Sequence, residues 1–75
     1  MAEWTVSTDT DHDLSLRSWD VTCDGRAVAY DLVSLDEVAD VIEHDWCDGD
    51  VVEIVEPGRW VVYTSLVDLR DDPGY

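Results

Sequence analysis

Residues 18–46 read SWDVTCDGRAVAYDLVSLDEVADVIEHDW, and along them the hydrophobic period changes from that of a strand to that of a helix. Trp19, Val21 and Cys23 alternate with Ser18, Asp20, Thr22 and Asp24, the pattern of an antiparallel strand with one buried face. Asp24-Gly25 is a dipeptide favoured by tight type I′ turns, whose central residues both need positive φ. Alternation then resumes with Val28, Tyr30 and Leu32 on one side, so the two runs are expected to form a hairpin. Ser34-Leu35-Asp36-Glu37 fits a capping box, in which the serine hydroxyl and the Glu37 carboxylate satisfy backbone amides at a helix start. The helix is expected over about Leu35 to Trp46, with Leu35, Val38, Ala39, Ile42 and Trp46 as its buried stripe.

Working outward, Glu3 to Ser7 alternates with Trp4 and Val6 on one face, and the polar segment from Thr8 to Leu16 reads as a loop. Beyond the helix, Val51 to Glu56 and Arg59 to Val67 are β-rich runs around Pro57-Gly58, a strong turn signal. In the last strand Trp60, Val62, Thr64 and Leu66 share one face, and Arg59, Val61, Tyr63, Ser65 and Val67 share the other. Both faces are largely apolar. Trp60 is read as core, and Val61, Tyr63 and Val67 as an exposed set suited to a partner or homodimer interface.

The expected fold is therefore α+β: a small antiparallel sheet of four to five strands with one helix packed on it, in the order β-β-β-α-β-β. Residues 1–67 form one domain. Residues 68–75, with Asp71-Asp72-Pro73-Gly74, lose periodicity and read as a flexible acidic tail.

The chain has 75 residues, 19 of them Asp or Glu against four Arg and no Lys, for a net charge of −15. A hydrophobic fraction of 45% with four Trp is too high for a disordered acidic chain. Nucleic acid and anionic membrane are repelled at this charge, so direct binding to either is not expected. A basic protein remains a suitable partner. The start lacks a basic region followed by an apolar run, and no stretch is long enough to span a bilayer. A cytoplasmic location is expected by default, and there Cys23 and Cys47 are read as reduced thiols, with a bridge left open. The absence of Lys, Asn, Gln and Phe hints at a GC-rich genome.

Constellations for chemistry are weak. Asp9, Asp11, Asp13 and Asp20 echo a calcium loop, but Leu14 stands where such a loop needs glycine. His12, Cys23, His44 and Cys47 have zinc-ligand chemistry without a zinc-site spacing. His44 beside Asp45 is no more than chance supplies in so acidic a chain. Neither a metal, a cofactor nor an enzymatic activity is expected.

The helix carries more information. Asp36, Asp40 and Glu43 fall at i, i+4 and i+7 on its exposed face, flanked by Glu37, His44 and Asp45. Asp36 and Glu37 suit the positive end of the helix dipole, whereas Asp40, Glu43 and Asp45 sit toward the end that disfavours anions, with no cation in the helix to offset them. Further acid is expected on outward faces or turns at Asp20, Asp24, Asp31, Asp48, Asp50, Glu53 and Glu56. The candidate partner-binding set is Asp36, Glu37, Asp40, Glu43, Asp45, Asp48, Asp50 and Glu53.

With its small size, extreme acidity and α+β order, the chain resembles phage-encoded anti-defence proteins, among them DNA mimics that block restriction enzymes and anti-CRISPR proteins. From Ser34 to Ser65, about half the chain, the helix followed by GDVVEIVEPGRWVVYTS is similar in layout to compact anti-CRISPR folds. The resemblance implies an inhibitor that occupies a basic nucleic-acid channel of a defence complex in the host cytoplasm, through charge placement and with no transferable motif. Two other readings stand beside it: a halophile's small domain, acidic because of its solvent, and an antitoxin or immunity protein for a basic toxin.

Overall fold

The computed structural model describes residues 2–8, 18–56 and 58–72. Five strands, β1 (Glu3–Thr8), β2 (Trp19–Cys23), β3 (Arg26–Leu32), β4 (Val51–Glu56) and β5 (Arg59–Tyr63), and two helices, α1 (Leu35–Glu43) and α2 (Leu66–Arg70), make an α+β domain. The sheet order is β3-β2-β1-β4-β5. The expected class and the order through β5 are observed, and α2 extends it. The sheet is mixed: β1, at its centre, runs antiparallel to β2 but parallel to β4. That parallel pair is permitted because β2, β3 and α1 form a crossover long enough to return the chain in the same direction.

The hairpin turn has Asp24 at φ 51° and Gly25 at φ 85°, both in the left-handed region that a type I′ turn requires. Asp24 also ties the turn to β1, its carboxylate accepting the Glu3 amide at 2.9 Å and its amide donating to the Glu3 carbonyl at 2.8 Å. Beyond the turn, the alternation expected of Val28, Tyr30 and Leu32 fails, because the β2–β3 register shifts twice. Tyr30 and Asp31 together oppose Asp20, and Val28 is an extra residue between the pairs of Ala27 and Ala29. Asp31 takes φ 58°, and its amide donates to Asp20 Oδ1 at 3.3 Å. Such bulges re-aim side chains, so Leu32 is buried while Val28 and Tyr30 are exposed.

The α1 start is capped as the sequence predicts. Ser34 Oγ accepts the Glu37 amide at 3.2 Å, and Glu37 Oε2 accepts the Val33 amide at 3.3 Å. Leu35, Val38, Ala39 and Ile42 pack against Trp4, Val6, Trp19, Val21, Val52 and Ile54 on one face of the sheet. Burial of the Leu, Val and Ile side chains among them contributes about 1.5–3 kcal/mol each.

Three expectations are corrected at the C-terminal end. Trp60 is 68% exposed and faces away from the helices, whereas Arg59, Val61 and Tyr63 are half-buried on the inner face, since they pair with Glu56, Ile54 and Val52. β5 stops at Tyr63, and the segment from Asp68 is not a frayed tail as far as Asp72. Ser65 caps α2 through the Asp68 amide, Leu69 is fully buried in the core, and Asp72 is buried. The tail expectation for 73–75 lies outside the described residues.

Candidate functional site

Asp36, Asp40 and Glu43 stand on one exposed face of α1, their side chains 75%, 69% and 67% exposed. They are not without a cation. Arg70 reaches across from α2 and donates Nη2 to Asp40 Oδ1 at 2.6 Å and to Glu43 Oε2 at 3.1 Å, while its Nη1 donates to the Asp36 carbonyl at 3.2 Å. The Asp36 carboxylate lies 3.8 Å from Nη1. One guanidinium thus holds three carboxylates in a row and leaves a net negative charge. The hydrogen bond to Asp40 raises the Arg70 pKa above its ordinary value. Sequence proximity hid this cation, which lies 27 residues from Glu43 and 34 from Asp36.

The rest of the nominated set disperses. Glu37 is exposed but occupied in the capping box, and Asp45 and Asp48 are exposed beyond the helix. Asp50 is not a surface residue: it is 2% exposed and accepts from the Ala2 amide at 2.7 Å, the Cys47 amide at 3.0 Å and the Trp4 indole at 3.2 Å. These donors, the Ala2 amide foremost and then that of Cys47, hold the Asp50 pKa below the ordinary carboxylate value. Its role is to join the loop after α1 to the start of β1. Glu53 lies on the sheet face opposite the helices, half-buried, where it accepts from Thr5 Oγ at 3.2 Å and the Trp60 indole at 2.8 Å.

Glu56, expected at the surface, is buried because it pairs with Arg59 on the inner face. Arg59 bridges Glu56 at 3.3 Å and grips Asp72 through both guanidinium nitrogens, and the Tyr63 hydroxyl donates to Asp72 at 2.5 Å. Bonding to Asp72 pushes both the Arg59 and the Tyr63 pKa up. The cluster was not legible in the sequence as a unit, although Arg59 standing in a strand among Val and Tyr was a signal of an inward partner.

Asp9, Asp11, Asp13 and His12 lie outside the described residues, and among those described no group of three or more His, Cys, Asp and Glu side chains is placed to hold an ion. Cys23 and Cys47 are unbridged. Burial, and next the neighbouring Asp24, push the Cys23 thiol up, away from a reactive thiolate. Among the described residues no helix is long and apolar enough to cross a membrane.

What remains is a surface that offers charge. Eleven carboxylates of the described residues are exposed, on α1, the hairpin, β1, β3, the loop after α1, and α2 with its C-cap, while Arg59 and Arg70 are engaged internally and Arg26 is exposed. No protein-family model, curated protein or solved structure matches the chain.

Proposed function

We propose that this protein is a non-enzymatic acidic binding protein, an inhibitor that presents a DNA-like negative surface to a basic nucleic-acid-binding protein such as a CRISPR or restriction complex. The observation that supports this most is the α1 row, where Asp36, Asp40 and Glu43 are held side by side by Arg70 yet remain about two-thirds exposed or more. A row already ordered in the free protein loses less side-chain entropy when a partner's cations arrive. Steering by the net charge of −15 raises the association rate. The test is binding to purified candidate nucleic-acid-binding complexes across a salt series, repeated with Asp36→Asn, Asp40→Asn and Glu43→Gln combined. Binding should weaken steeply with salt and with the substitutions; binding indifferent to both would remove the reading.

A second reading is favoured by one observation: the exposed acids are not confined to the helices, since Glu3 on β1, Asp24 at the hairpin turn and Asp31 on β3 are exposed as well. An acidic surface of that kind suits a protein whose solvent is concentrated salt, where repulsion is screened. Circular dichroism in low and in molar salt separates the two, since unfolding in low salt supports adaptation to the solvent and speaks against an inhibitor working at ordinary ionic strength.

A further inference from the structure

The two faces of the sheet differ in kind. α1 and α2 cover the inner face, and among the described residues nothing covers the outer one at its β4–β5 end, where Trp60 is 68%, Val62 49% and Val55 40% exposed. Register makes these neighbours, with Val55 opposite Trp60, and Glu53 between Thr5 and Val62. The Trp60 indole is anchored, because its N–H donates to Glu53 Oε2 at 2.8 Å while Thr5 holds Oε1 of the same carboxylate.

Glu53 lies within this spot, and further acid stands on the same face. Asp20 pairs with Ser7 and Glu3 with Val51, which puts both on the outer face with Glu53. Among the described residues no arginine joins them: Arg26 and Arg59 pair with the inward Cys23 and Glu56, and Arg70 is on α2. Charge then selects the occupant. A second copy would set these carboxylates against their own counterparts, and a neutral apolar partner would strip water from Glu53 without replacing it. A guanidinium meets both halves of the spot, because it stacks on an indole and hydrogen-bonds a carboxylate in the same plane.

We propose that the open sheet face, centred on Trp60 and Glu53, docks an arginine-bearing surface of a basic protein, with the guanidinium stacked on the indole and paired to the carboxylate. This rests on the reading of the protein as an acidic binder, and it places the specific contact on the side of the sheet opposite the α1 row.

The experiment titrates the full chain with a short peptide of alternating Arg and Gly, and with its Lys counterpart, while indole and amide NMR signals are followed. The Arg peptide should shift the Trp60 indole N–H and the Glu53 and Val62 amides. Trp60→Ala should weaken it about fivefold and abolish the preference for Arg over Lys. Glu53→Gln should do the same in part, and serves as the probe if Trp60→Ala alters the circular dichroism. Shifts confined to α1, with affinity unchanged in Trp60→Ala, would overturn this proposal and leave the acidic-binder reading standing. Failure of both peptides to bind at low ionic strength would overturn both. Concentration-dependent Trp60 shifts without peptide, together with a dimer in sedimentation, would overturn it in favour of self-association.

Discussion

Arg59 and Arg70 each gather more than one carboxylate, yet one cluster is shut in and the other lies open. Around Arg59 the partners are 3% and 0% exposed at the side chain, whereas around Arg70 they range from 67% to 75%. The same ion-pair chemistry therefore does different things. Water and salt screen the Arg70 row, so its contribution to stability is small. The two carboxylates around Arg59 have surrendered their hydration, and removing the arginine strands them. Burial, and not the number of hydrogen bonds, decides which of the two is structural and which is available to a partner.

The largest expected effect joins both clusters. Leu69 is fully buried on the helix that carries Arg70 and leads to Asp72, so Leu69→Ala should cost about 3–4 kcal/mol in urea unfolding. It should also release the α1 carboxylates. An unchanged midpoint would mean that α2 does not anchor either group. Next, Arg59→Ala should cost about 2–3 kcal/mol, somewhat less than for a fully enclosed pair because Arg59 keeps a quarter of its side-chain exposure.

The pH dependence sharpens the contrast further. The Tyr63 pKa is raised above the ordinary phenol value, chiefly by its bond to Asp72 and then by burial. Its contribution is present below the unfolded value and is lost as pH rises through the folded one. Tyr63→Phe should therefore flatten the alkaline limb of the stability curve. The sign reverses at Asp50, whose pKa lies below the ordinary carboxylate value: that contribution is present above the unfolded value and is lost as pH falls through the folded one, so Asp50→Asn should flatten the acid limb. Denaturant melts across pH would show either limb. The smallest effect belongs to Arg70→Ala, which should shift the midpoint slightly at low salt and not at all in molar salt; a loss equal to that of Arg59→Ala would erase the distinction between the clusters.

Local signals were legible in the sequence and distant ones were not. The Asp24-Gly25 turn and the Ser34–Glu37 box are complete within a few residues, and both stand as read. The α2 start was equally local, since Ser65 precedes Asp68 by three residues with Leu66 and Leu69 on one side, but the β-rich run before it was carried too far. The side taken by Trp60 was not decidable from alternation, because both faces of β5 are apolar; pairing of Arg59 with Glu56 and Asp72 settles it. Of the nominated acids, Asp36, Asp40 and Glu43 come together on α1, whereas Asp50 is an internal acceptor and Glu53 lies behind the sheet. Only three-dimensional neighbours distinguish those fates.

The parallel pairing of β1 with β4 has a consequence for the timing of synthesis. The first strand sits at the centre of the sheet, yet one of its two neighbours begins at Val51. On the ribosome, the hairpin and α1 emerge with one flank of β1 still bare, and the Asp50 acceptor for Ala2 and Trp4 has yet to arrive. Closure of the core must wait for β4, β5 and the Leu69 side chain of α2, which sets this domain's folding at the slower pace of non-local contacts.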